Sequence, residues 1–187
     1  MVPRRGPALD WISINISAVQ LTDLALIADV SAALESSELA PHQLVLEMTE
    51  TALMTAPDKA RTFLTAAREL GVRIAVDDFG TGYSSLSNLE QFPIDILKVD
   101  TSVVNSASAR GELSAVARTI LDLSRNLHVQ AIAEGIERAD QAQTFKEREC
   151  RLGQGFLFSR PLPPDEFEAY IHKHAPAGAD VTLVGSA

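Results

Sequence analysis

The chain has 187 residues, 46 % of them hydrophobic, and a formal charge of −9. That is enough apolar material for one sizeable core, and no break in composition marks a second one. Without clustered Lys and Arg, an acidic chain lacks the broad electrostatic grip that binds DNA or RNA, so a phosphodiester substrate would require metal ions to supply positive charge. No apolar run is long enough to span a membrane, and the opening Val2-Pro3-Arg4-Arg5-Gly6-Pro7 has basic residues with no leader-like apolar stretch behind them. The expected compartment is therefore the cytoplasm. The single cysteine, Cys150, has no ligand-spaced Cys or His neighbours and is expected to pack in the core.

Along the chain, short β-branched runs alternate with segments of helical periodicity. Trp11 to Ile16 reads as a strand, followed by a helix from about Asp23 to Ser37. Leu44 to Met48 is the second strand, and the next helix is bracketed by Thr55 and Pro57 at its start and by Gly71 at its end. Arg73 to Val76 is the third strand, with a short helix from Ser85 to about Gln91. Ile96 to Val99 is the fourth, before a long helix from about Gly111 to Leu127. Val129 to Ala133 is the fifth, with a helix from Ala139 to about Glu149. A sixth strand is expected at Phe156 to Phe158, leading through Pro161 to Pro164 into a helix ending near His174. The Ala- and Gly-rich tail from Ala175 is expected to be disordered.

About six strand–helix repeats in succession imply parallel strands covered by helices, hence an α/β barrel or a doubly wound sheet. A doubly wound nucleotide fold would carry a glycine fingerprint after its first strand, and none follows Ile16. In a barrel of this kind the chemistry sits at the carboxyl ends of the strands.

Those ends carry Asn15, Glu47, Asp77 with Asp78, Lys98 with Asp100, Glu134 and Gln154. Oxygen donors of this type suit hard divalent ions such as Mg²⁺ or Mn²⁺, and the lack of His or Cys among them argues against zinc. Two ions about 3.5–4 Å apart are the usual arrangement for in-line displacement at phosphorus, with Asp77 or Asp78 as the candidate bridge. Each residue also has a plainer use: Asn15 can bond a loop, Glu47 and Asp100 can cap helices, and an Asp pair before Gly80 can close a turn. Lys98 is harder to assign to surface duty, because it interrupts the apolar strand Ile96-Leu97-Lys98-Val99 and a buried lysine needs an anion. Among carboxylates it stays charged, suited to holding a phosphate oxygen or a water. The rival barrel chemistry, Schiff-base formation, needs a depressed lysine pKa and fits less well.

Six stretches, in order, carry a resemblance. They are Asn15-Ile16-Ser17 with Gln20-Leu21, Glu47-Met48-Thr49-Glu50, the run from Asp77-Asp78-Phe79-Gly80-Thr81-Gly82 to Leu86, Lys98-Val99-Asp100, Ala133-Glu134-Gly135-Ile136-Glu137, and Gln154-Gly155-Phe156 with Ser159-Arg160-Pro161. Together they resemble the EAL family of bacterial cyclic di-GMP phosphodiesterases across roughly residues 11 to 172.

The resemblance implies a (βα)₈ TIM-like barrel that cleaves one phosphodiester of cyclic di-GMP to linear pGpG with Mg²⁺ or Mn²⁺. It implies that Asn15, Glu47 and Asp77 hold one metal, that Asp77, Asp78 and Glu134 hold or face a second, and that Lys98 positions the water or a phosphate oxygen. Glu134 is alternatively a general base. Glu50 would brace the loop after Asp77, and Asp100, Glu137 and Gln154 would complete the water and metal shell. A homodimer and an upstream sensory or regulatory domain are the partners the family suggests.

The family's Glu-Ala-Leu tripeptide, whose glutamate is a further metal ligand, has no counterpart upstream of Asn15. The expectation is therefore an N-terminally truncated domain at residues 11–174, a partial barrel after an extension at residues 1–10 and before a tail at 175–187. Two functions stay open at this point: a metal-dependent phosphodiesterase, and a non-catalytic cyclic di-GMP receptor or protein-interaction module with an incomplete site.

Overall fold

In the computed structural model six strands, each short and rich in Ile, Val, Leu and Ala, form one parallel sheet in the sequential order β1-β2-β3-β4-β5-β6. They are Ile12–Asn15, Leu44–Thr49, Arg73–Phe79, Ile96–Val99, Gln130–Ala133 and Leu152–Gly153. Among the described residues seven α-helices accompany them: α1 Ala25–Ser37, α2 Glu50–Thr55, α3 Pro57–Glu69, α4 Thr101–Asn105, α5 Ala115–Asn126, α6 Ala139–Glu147 and α7 Pro164–His174. The structure describes residues 10–37, 39–80, 89–106 and 112–174. The expected tail, most of the expected Ser85 helix and nearly all of the N-terminal extension lie outside them. Every neighbouring pair of strands is parallel and consecutive in sequence, so each crossover returns the chain to the same side, and the sheet curls into a partial TIM-like barrel.

Local chemistry fixes the helix ends. Asp23 Oδ1 accepts from the Ala25 amide at 2.9 Å, so α1 begins two residues later than the periodicity implied. Thr49 accepts from Ala52 N–H to cap α2, Pro57 occupies the first turn of α3, and the Ser114 hydroxyl caps α5. Two short helices, α2 and α4, were not expected; each follows directly on a strand and starts at a polar cap, Thr49 or Asp100.

The two faces of the sheet have different roles. Alternate residues Leu44, Leu46, Met48, Ile74, Val76, Leu97 and Val99 face the helices and join one large core that includes Leu34, Phe63, Leu64 and Ile120. The opposite face lines the barrel and has three levels. At the bottom, the Arg73 guanidinium lies 4.8 Å over the Trp11 ring and bonds the Gln130 side chain. In the middle, Val45, Ala75, Ile96 and Ile132, with Leu152 against them, form a separate apolar cluster. Above that layer every inward position is polar.

The sixth strand corrects the sequence reading. Phe156 to Phe158 is a turn, and Leu152 and Gly153 are the residues that pair with Ile132 and Ala133. The aromatic run carries strand propensity, but Gly155 at φ +154 breaks the extension there. A Cβ at Gly155 would lie 2.2–2.7 Å from the Ile136 backbone, so the chain turns where only glycine fits.

Candidate active site

Strand β3 is the key to the site. Val76 pairs with Leu97 and Phe79 pairs with Val99, so Asp77 and Asp78 together stand opposite the single residue Lys98. This is a β-bulge, which re-aims side chains that strict alternation would send to opposite faces. Asp78 adopts φ 55°, a conformation that Asp tolerates better than most residues. The strand therefore runs on to Phe79 rather than ending at Val76. Its last turn of pleat carries the acidic pair.

Lys98 is 2 % exposed and meets three carboxylates: Glu47 Oε2 at 2.7 Å, Glu134 Oε1 at 2.7 Å and Asp77 Oδ2 at 3.1 Å. These come from β2, β3 and the residue after β5, so the ammonium ties together the ends of neighbouring strands. The other oxygen of Asp77, Oδ1, accepts from the Asp78 amide at 2.9 Å. Both oxygens of Asp77 are thus fixed.

Oxygens of Asp77, Asp78 and Glu134 lie within 4.8 Å of one another. With Glu47 that makes four carboxylates around one ammonium, and if all are ionised three negative charges remain uncompensated. The titration of the group reflects this surplus. Glu134 is pushed up to about 7 by burial and by the charge of Asp77, against the pull of Lys98. Asp78 is also raised, by burial and by the charges of Asp77 and Asp100. Burial alone would lower Lys98, but Glu134, Glu47 and Asp77 outweigh it and hold the lysine firmly protonated. A protonated lysine is no Schiff-base nucleophile.

The remaining expected residues divide. Asn15 is exposed at the end of β1 and in register with Glu47, hence on the same face. Glu50 is 5 % exposed, and its Oε2 faces the Gly80 amide at 3.5 Å, bracing the chain just after the acidic pair. Gly80 has φ 103°, and a Cβ there would lie 2.6 Å from Ile120 Cδ1. Asp100 caps α4 by accepting from Ser102 N–H at 2.8 Å, and its charge is among those that raise Asp78. Gln154 follows β6 at the same rim, and its Oε1 is buried without a hydrogen-bond partner. Glu137 lies apart: it is exposed, outside the cluster, and its backbone N–H donates to Gln141 at 3.0 Å. Sequence reasoning missed the bulge, whose only signal was an acidic pair in place of one inward residue.

Clustered carboxylates, an excess of negative charge and an orphaned amide oxygen suit divalent cations, and they sit at the C-terminal ends of the strands, where parallel α/β barrels carry their metal and catalytic sites. The comparisons agree with that placement. Residues 2–161 match the EAL domain, and the chain belongs to the EAL family.

Among curated relatives, the cyclic di-GMP phosphodiesterase NbdA of Pseudomonas aeruginosa is 40 % identical over 163 residues, covering 87 % of this chain and 21 % of NbdA. The chain thus spans about a fifth of the length of the curated relatives it matches. Among solved structures, the PaMucR phosphodiesterase in complex with c-di-GMP superposes with a TM-score of 0.78 at 36 % identity, over 84 % of this chain and 70 % of that one. The Klebsiella pneumoniae BlrP1 complex with manganese and cyclic di-GMP gives 0.72 at 32 % identity, over 80 % and 38 %. Among the described residues no helix is long and apolar enough to cross a membrane.

Proposed function

We propose that this domain hydrolyses one phosphodiester of cyclic di-GMP to linear pGpG, using two Mg²⁺ or Mn²⁺ ions. The observation that carries the reading is the β3 bulge, which gathers Asp77, Asp78 and Glu134 around the buried Lys98 in an EAL-family barrel. Asn15, Glu47 and Asp77 are the residues assigned to one ion, and Asp77, Asp78 and Glu134 to the other. When bound, such ions neutralise the phosphodiester and make water a stronger acid.

The protein's own groups supply the rest. Lys98, held cationic by its three partners, orients a phosphate oxygen or the attacking water. Glu134 is assigned either to the second ion or to the role of general base, and in the metal-free protein burial and the charge of Asp77 push it up to about 7. Asp77 is locked by Lys98 and by the Asp78 amide, and Glu50 steadies the Gly80 backbone beside it. Gln154 presents an unsatisfied acceptor to the shell around the ions.

The test is incubation of the chain with cyclic di-GMP and Mn²⁺, followed by chromatography for pGpG, with Asp78→Asn as the control for contaminating enzyme. Product from the wild type alone supports the reading. Binding of the dinucleotide without product replaces it with the receptor reading.

A further inference from the structure

We propose that Asn105 and Gln141 are positioning residues: together they clamp the loop after β5, which carries Glu134, to the helix that starts on Asp100. The proposal rests on the reading of the acidic rim as a metal site and adds two residues outside that rim that set its spacing.

Gln141, in the first turn of α6, is 2 % exposed, and both ends of its side-chain amide are in use. Its Oε1 accepts from the backbone N–H groups of Glu137 and Arg138, each at 3.0 Å. A glutamine at this position serves as a helix cap through that oxygen alone. The amide nitrogen does something else: it donates to Asn105 Oδ1 at 2.9 Å, on an element 36 residues earlier.

Asn105 is the last residue of α4, and α4 is a strut between two strand ends. Asp100, directly after β4, caps its start, and Val103 and Val104 anchor it in the core. Its first residue, Thr101, lies against Gly135, where a Cβ would come within 2.4 Å of the Thr101 side chain. The chain that carries Glu134 is accordingly tied at successive residues. Glu134 N–H donates to Val99 O at 3.0 Å, Gly135 packs on Thr101, Ile136 N–H donates to Gln154 O at 3.0 Å, and Glu137 and Arg138 donate to Gln141. The Asn105 bond closes this loop onto the far end of α4, so the ends of β4 and β5 are fastened at both ends of one short helix. Carboxylates that share ions depend on such spacing, since a misplacement of about 1 Å can cost roughly 100-fold.

The test is calorimetric titration of Mn²⁺ alone into the metal-free 187-residue chain, in about 0.15 M salt to screen surface charge, with urea denaturation of each protein alongside. Asn105 is exposed, so its replacement leaves the core untouched. Asn105→Leu, close in size but without the accepting oxygen, weakens Mn²⁺ binding by about 10-fold, the low end for residues that orient metal ligands. Asn105→Asp keeps the oxygen and retains wild-type affinity. A lower urea midpoint with wild-type Mn²⁺ affinity in Asn105→Leu overturns the clamp and leaves a merely stabilising contact. Equal loss of affinity in Asn105→Asp overturns it as well, because the bond to Gln141 would then not be what sets the spacing. A wild-type chain that binds no Mn²⁺ overturns the metal reading itself, and this inference with it.

Discussion

Replacing Lys98 with Met is the most informative perturbation of the fold and the site together. Methionine keeps the unbranched shape, so the change deletes charge and hydrogen bonds with little change in volume. What remains is Glu47, itself 2 % exposed, facing Asp77 and Glu134 with no cation between them. Removing one partner of a buried ion pair costs about 3–5 kcal/mol. At roughly 2–4 °C per kcal/mol for a chain of this size, the melting temperature falls by about 6–20 °C.

The loss depends on pH in a defined direction. Glu134 titrates at about 7 with Lys98 present, and higher once the ammonium is gone, so protonation relieves the repulsion on the acid side. The gap between variant and wild type is therefore small at pH 6 and widest above pH 8. The assay is thermal unfolding of both proteins in EDTA at pH 6, 7 and 8.5. A variant as stable as the wild type at pH 8.5, or a deficit that does not change with pH, refutes the view of Lys98 as the counter-charge of the acidic ring.

In the metal-free wild type the folded Glu134 binds its proton more tightly than the unfolded chain does, at about 7 against 4.5. Its stabilising contribution is thus full below the unfolded value and is lost as pH rises through 4.5 to 7; Glu134→Gln removes that slope in denaturant melts made across the range in EDTA. Cys150, buried and pushed up to about 11 by its burial, is expected to react with a thiol reagent at pH 8 only on unfolding, so rapid labelling of the native chain would contradict its packing role. Gly155→Ala forces a Cβ into the Ile136 backbone and is expected to lower stability by about 1–3 kcal/mol, measured by urea denaturation.

Five of the six strands were legible because their apolar runs are short and bounded by turn residues and by helical periodicity. The polar residues at their ends were legible for the same reason: a strand end at the rim is the one place where an apolar run can stop on a charge. Lys98 stood out because its neighbours Leu97 and Val99 left it no surface to reach. The sixth strand was misplaced because Phe-Leu-Phe has higher strand propensity than Leu152-Gly153, while the register with Ile132 and the turn at Gly155 are long-range facts. The bulge was hidden likewise, since it exists only in the pairing of β3 with β4. Glu137 was assigned to the shell on the family resemblance alone; in the structure its side chain is exposed, outside the carboxylate group around Lys98.

On the proposed function, Asp77, Asp78 and Glu134, gathered by the bulge, hold divalent cations for phosphodiester hydrolysis. Calorimetric titration of Mn²⁺ into the metal-free chain in the presence of cyclic di-GMP, with the wild type beside Asp77→Asn, tests it most directly. Mn²⁺ is expected to bind the wild type and to lose at least about 10-fold in affinity in the variant, on the scale of a disrupted ligand sphere. Equal Mn²⁺ affinity in the two proteins would contradict it.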